Sequence, residues 1–313
     1  MPILAHFGLL EYPFRLTQEP RMFFGEGDHA AILQAIDFAL GRGDGLLKVV
    51  GEIGTGKTMI ARMLAEHLGG RVNVCYLAPP VHEGNWLPSA ICRALGIATE
   101  QGGDATFAIE DYLRQERLRE RRTVLIVDEA QALDDDAIET LRLLGNLELK
   151  GDRLLQVILL GQPELDRILA QSTLRPAGQR VSFSFETRPI SLRLVPRYVR
   201  HRLACASELA DGKVEIFTGG ALRLLARLSR GVPRVIHLIA DKALFAAYAD
   251  GVGKVGRRHV VAGARELAGQ IIALPMRYRH DWGRMALLAC LGLLSFASGV
   301  LSVWVFGPYL PFG

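Results

Sequence analysis

Cysteine is scarce and scattered in this 313-residue chain. Cys75, Cys92, Cys205 and Cys290 form no C-x-x-C pair, and no set of cysteines and histidines at zinc-ligand spacing is expected among them. Disulfides and a structural zinc are therefore not expected, and a reducing compartment fits best. The amino terminus lacks a basic region followed by a long apolar stretch, so no cleavable signal peptide is expected. No helix-turn-helix or dense basic patch is recognisable, and the net charge is only +4. Nucleic acid is thus not an expected partner, while mild basicity also suits a surface facing anionic lipid. Charge is missing altogether from Met285 to Phe306, an apolar stretch long enough to cross a bilayer as one helix. A buried core or partner-binding helix is the alternative for it. Arg277, Arg279 and Arg284 precede it with Trp282, and the tail 307–313 carries no charge. The positive-inside rule then places the rest of the chain on the cytoplasmic side of an inner membrane, with a short external tail.

What is present centres on Gly51-Glu-Ile-Gly-Thr-Gly-Lys57-Thr58, which fits the phosphate-loop pattern G-x-x-x-x-G-K-[ST] at every fixed position. The apolar run Leu46–Val50 leads into it, and Met59–Leu68 follows with helical periodicity, so it has the strand–loop–helix order the motif needs. Its glycines let several N–H groups converge on one anion, and the helix dipole adds to the same point. The residues from Gly51 to Met59 (Glu52, Ile53, Gly54, Thr55, Gly56, Lys57 and Thr58 between them) are the expected nucleotide contacts. Lys57 would reach the β- and γ-phosphates of ATP, and the Thr58 hydroxyl would hold Mg²⁺. A Gly-rich turn is the bland alternative.

Thr123-Val-Leu-Ile-Val127 reads as a buried strand ending in Asp128 and Glu129, at the end where open parallel sheets bind ligands. Asp128 is the expected second Mg²⁺ ligand, and Glu129 the base that activates a water. A helix is expected over 136–149, then a strand over 154–160. Gln162, at the tip of that strand, is the expected γ-phosphate sensor; an amide capping the turn before Pro163 is the plainer role. Arg180 precedes the alternating strand Val181–Phe185 and is the preferred arginine finger for a neighbouring subunit, with Arg175 the other candidate. Prolines and aromatics are dense in residues 1–25, which argues against a regular helix and for an ordered arm over the domain. Beyond Ser191 the pattern turns helical, and Arg234, placed by Gly231-Val-Pro at a helix start, is the expected second sensor.

Taken together, His6-Phe-Gly-Leu, Pro13-Phe14, Gly51–Thr58, Val127-Asp-Glu-Ala-Gln131, Leu160-Gly-Gln-Pro-Glu-Leu165 and Gly231-Val-Pro-Arg234 resemble the ExeA/GspA group of AAA+ ATPases, most of all its branch serving mannose-sensitive haemagglutinin pilus biogenesis. The resemblance covers roughly residues 3–265. It implies an α/β fold: an αβα P-loop core with a parallel five-stranded sheet and a small helical lid. It also implies Mg²⁺-dependent ATP hydrolysis, a homo-oligomer such as a hexameric ring, and service to inner-membrane pilus or type II secretion assembly proteins. The expected order is an arm (1–28), the core (29–190), the lid (191–270), a basic juxtamembrane linker (271–284), the transmembrane helix (285–306) and the tail (307–313). Two departures stand out. Pro176 and Gly178 would break the helix that carries the family's finger, and the peptidoglycan binding of the family's ExeA branch is not expected of this chain. Exopolysaccharide export, a DNA-handling ATPase and a nucleotide-gated scaffold remain as alternative functions.

Overall fold

The computed structural model describes residues 2–78, 86–98, 104–171, 175–178, 180–207 and 215–271, without the side chains of 175, 176 and 268–271. Five strands, β1 (Leu46–Gly51), β2 (Asn73–Leu77), β3 (Thr123–Val127), β4 (Leu155–Gly161) and β5 (Val181–Thr187), form one parallel sheet in the order β2-β3-β4-β1-β5. β3 and β4 are buried along their whole length, which explains their apolar runs Val124–Val127 and Val157–Leu160: parallel strands covered on both faces need no polar side. Their side chains alternate between two cores. Leu125, Val127, Val157 and Leu159 join Ile91, Leu113 and Leu141 on one face. Val124, Ile126, Ile158 and Leu160 join Ile36, Ile60 and Leu64 on the other. The αβα core is thus built by period-two strands lying between amphipathic helices.

The strands end in register, so the tips of β1, β3 and β4 lie together: Val127 pairs with Leu159, Val50 with Gly161, and Gly51 with Thr187. Helices Val195–Cys205, Gly219–Ser229, Pro233–Ala249 and Arg257–Ile271 follow the sheet. Thr218 caps the second of these by accepting the Ala221 N–H. Gly231 locks this helical part to the segment leaving β5. Its φ is 79°, a Cβ there would lie 2.0 Å from the Ile190 carbonyl oxygen, and its own carbonyl accepts the Ile190 N–H at 2.8 Å. Gly231→Ala should therefore cost about 3 kcal/mol, combining backbone strain with the clash. A denaturant melt within 1 kcal/mol of wild type (about 1,) would refute that account.

Three expectations are corrected. The arm does contain a regular helix, Pro2–Phe7, because a proline in the first turn has no hydrogen bond to lose. Pro20 opens a 3-10 turn ending at Met22 in the same way. The helix expected to reach 149 stops at Leu144. A hairpin then pairs Glu148–Leu149 with Asp152–Arg153, turned by Lys150 and Gly151, both at positive φ. Leu147, within the expected helix, packs on the core from beyond the observed helix end. Finally, Arg175–Gly178 is one helical turn despite Pro176, which sits in its first turn. The apolar stretch 285–306, its flanking segments, Cys290 and the Arg175 side chain lie outside what is described. Among the described residues no helix is long and apolar enough to cross a membrane.

Candidate nucleotide site

The phosphate loop runs from the tip of β1 to helix Lys57–Leu68, and its glycines are needed individually. A Cβ at Gly51 would fall 1.8 Å from the Thr187 hydroxyl of β5. Gly54 and Gly56 have φ of 80° and 104°, which an L side chain rarely adopts. The loop is braced from within, since the Thr55 hydroxyl lies 2.7 Å from both the Glu52 carbonyl oxygen and the buried Thr187 hydroxyl. From outside, His29 Nε2 lies 2.5 Å from the Thr55 carbonyl oxygen and must carry the proton it donates.

A cavity of about 440 Å³ opens at this loop. Ile53, Gly54, Gly56, Lys57, Thr58 and Met59 line one side, Glu129 and Gln162 another, and Arg234 a third. Lys57 is buried, and its amine donates to the carbonyl oxygens of Gly51 at 2.8 Å and Glu52 at 3.2 Å. Burial lowers its pKa, against the opposing pull of Glu129, Asp128, Glu52 and Glu164. Asp128 is buried and accepts from neutral donors, the Tyr76 hydroxyl at 3.2 Å and the Glu129 N–H at 3.0 Å. A buried carboxylate without an ion pair among the described residues, close enough to act on Lys57 of a loop whose Thr58 lines the cavity, suits a hard divalent cation with oxygen ligands.

Two further structures shape the site. Helix Pro233–Ala249 points its N-terminus at the loop, and the Arg234 N–H donates to the Gly54 carbonyl oxygen at 3.3 Å. A second helix dipole is thus aimed where anionic phosphates would lie. The arm closes the opposite end. Arg62 holds the Gln18 carbonyl oxygen, Arg202 the Pro13 carbonyl oxygen, and His237 Nδ1 the Arg15 carbonyl oxygen. Tyr198, stacked on His237 and hydrogen-bonded to its Nε2 at 2.6 Å, also lines the cavity, edge-on to Phe24. Arg202 is buried at this end, with Nη2 unpartnered among the described residues.

Burial brings His237 down to about 3; the Arg202 charge adds to the shift and the Arg15 carbonyl opposes it. An unfolded chain protonates this ring near its ordinary value of 6.5, so between the two values the unfolded state binds the extra proton. Stability therefore falls as pH drops from about 6.5 toward 3, by about 2 kcal/mol at pH 5 from this ring alone. His237→Gln should flatten the fall in melting temperature between pH 7 and pH 5 (roughly the upper part of that window,). An unchanged slope would count against the buried neutral ring.

Of the expected site residues, those of the loop, Asp128, Glu129, Gln162 and Arg234 come together. Arg180 does not: it is exposed and hydrogen-bonded to Asn146 Oδ1. His29, Thr187, Arg202, Tyr198 and His237 were not foreseen as site residues, because none lies in a local motif. Nor was His201 seen beside Cys205; one helical turn apart, they meet at 3.6 Å. Two donors make no metal centre, and no cluster of three exists among the described residues.

The AAA domain family model matches residues 40–169. General secretion pathway protein A of Aeromonas hydrophila is 36% identical over 308 residues, spanning 97% of this chain and 54% of that protein. The chain therefore spans about half the length of this curated relative. Among solved structures, Aeropyrum pernix ORC2 in its ADPNP–ADP complexes is similar with a TM-score of 0.63 at 16% identity, over 83% of this chain and 72% of that one. Cdc6p of Pyrobaculum aerophilum gives 0.62 at 19%, over 87% and 74%. The branch migration motor RuvB of Thermotoga maritima gives 0.53 at 20%, over 82% and 73%. At such identities these structures share the fold alone. An AAA domain thus matches the middle of the chain, and the chain is similar to General secretion pathway protein A along nearly its whole length.

Proposed function

We propose that the cavity binds ATP with Mg²⁺ and hydrolyses the γ-phosphate bond. The observation that carries this is the convergence of a buried lysine, two carboxylates, a strand-tip amide and a lid arginine on one phosphate loop. Lys57, the loop N–H groups and Arg234 hold the phosphates. Thr58 and Asp128 hold the cation, which when bound draws charge off the phosphate oxygens. Glu129 takes a proton from the attacking water as its oxygen bonds to the γ-phosphorus and the bond to the β-phosphate oxygen breaks, leaving ADP and phosphate. Gln162 faces the γ-phosphate. The arm covers the base, which the Arg202 Nη2 donor and the Tyr198 ring help to hold. An arginine from a neighbouring copy, Arg180 rather than Arg175, completes the site in a homo-oligomeric ring.

The work is done at the inner membrane for a pilus or secretion assembly system, with the ATPase on the cytoplasmic side and 285–306 as the anchor. The core comprises 29–190 and the lid 191–270, and hydrolysis shifts the lid through Arg234. The relative's name, General secretion pathway protein A, and the apolar stretch support this reading. It is tested by affinity purification of Glu129→Gln from detergent-solubilised native membranes with ATP, using Lys57→Ala as control. Pilus or secretion inner-membrane proteins held by the first and not the second support it. Polysaccharide-export proteins would keep the ATPase and change the system; retention by neither, with release in a carbonate wash, would remove both anchor and role.

A further inference from the structure

Gln131 lies in the 3-10 turn Ala130–Ala132 directly after the β3 carboxylates. Its Oε1 accepts the Gln162 backbone N–H at 2.9 Å, and its Nε2 donates to Glu129 Oε2 at 2.7 Å. Chemistry fixes the orientation of this amide. A main-chain N–H only donates and a carboxylate only accepts, so a flipped amide would lose both bonds. The path between the strands is kept open by Gly161, where a Cβ would stand 3.0 Å from Gln131 Oε1. Glu129 adopts φ 52°, an uncommon conformation for a residue with a side chain, and still lines the cavity with one carboxylate oxygen held by Gln131.

We propose that Gln131 is a positioning residue: it clamps the Glu129 carboxylate to the backbone at Gln162, so that the water-activating group and the phosphate-facing strand tip move as one. The inference rests on the reading of Glu129 as the base. Without the clamp, Glu129 spreads over its rotamers and spends a smaller share of time in the productive one, lowering turnover while leaving the phosphate contacts in place. Gln131 itself touches neither water nor phosphate in this account; it acts through Glu129.

The test uses the full chain with ATP and Mg²⁺. Gln131→Leu removes both hydrogen bonds at similar size, and kcat should fall roughly tenfold with KM and nucleotide Kd within about twofold. Gln131→Glu keeps an acceptor for the Gln162 N–H but sets a carboxylate against Glu129, so it should be at least as slow; being nearly isosteric, it decides the matter if the leucine variant misfolds. In a Glu129→Gln background, Gln131→Leu should slow single turnover no further, because residues acting as one unit are not additive. Near-wild-type kcat in the variants, or an additive loss in the double variant, overturns the proposal. If Glu129→Gln alone turns over normally, the base reading falls and takes the clamp with it. If Glu129→Gln is inactive while the Gln131 variants are not, only the clamp is wrong.

Discussion

Glu129→Gln is expected to lower ATP turnover by about 10²–10⁴, the range for removal of a general base, while nucleotide affinity stays within about threefold, under 1 kcal/mol. The substitution is close to silent structurally. A glutamine side-chain oxygen still accepts from Gln131 Nε2, as Glu129 Oε2 does at 2.7 Å. The left-handed backbone at φ 52° is no harder for an amide than for a carboxylate. Asp128 keeps the N–H donor at 129 and the Tyr76 hydroxyl, so the carboxylate proposed to hold the cation is not disturbed. What is lost is a carboxylate able to take the proton of an attacking water. Paired measurements of phosphate release and nucleotide titration separate the two effects. Turnover within threefold of wild type (about 0.7 kcal/mol,) would mean that another group activates the water.

How much of this was legible beforehand depends on sequence distance. The phosphate loop, Asp128 and Glu129 sit in contiguous motifs at strand ends, and the buried runs Val124–Val127 and Leu155–Leu160 announce a parallel sheet covered on both faces. Gln162 and Arg234 follow because each is pinned by a local device, a strand tip or a Gly-Val-Pro helix start. The other end of the cavity could not be read this way. Arg202 reaches Pro13 and His237 reaches Arg15 across most of the chain, and such pairs leave no periodic trace. Gln131 stood beside Glu129 in the sequence, but its role depends on the Gln162 N–H arriving from another strand. Thr187 and His29 brace the loop from elements before and after it. The helix expected through 149 failed for a local reason: Leu141, Leu144 and Leu147 keep a helical spacing, yet Lys150-Gly151 has the positive φ of a hairpin turn. The arm helix was lost to the opposite error, counting prolines without asking whether each falls in a first turn.

Lys57→Ala should weaken nucleotide binding at least 100-fold, about 2.7 kcal/mol, and with it abolish hydrolysis at working ATP concentrations. The lysine is the only one lining the cavity among the described residues, and the carboxylates that act on it, Glu129, Asp128, Glu52 and Glu164, remain when it is removed. A triphosphate would then meet this negative field with the arginines that line the same space, Arg15, Arg202 and Arg234, left to compensate. Folding should suffer little. Burial already disfavours the charged amine, as its lowered pKa records, so removing it relieves a desolvation cost and gives up two hydrogen bonds to the Gly51 and Glu52 carbonyls. The loop keeps its other braces, the Thr55–Thr187 contact and the His29 bond to the Thr55 carbonyl. A folded protein that has lost its nucleotide is therefore the expected result, read by a thermal melt beside a fluorescent-nucleotide titration. Binding within threefold of wild type (about 0.7 kcal/mol,) would refute the phosphate assignment of the loop, and with it the base, the sensors and the clamp that depend on a triphosphate lying there.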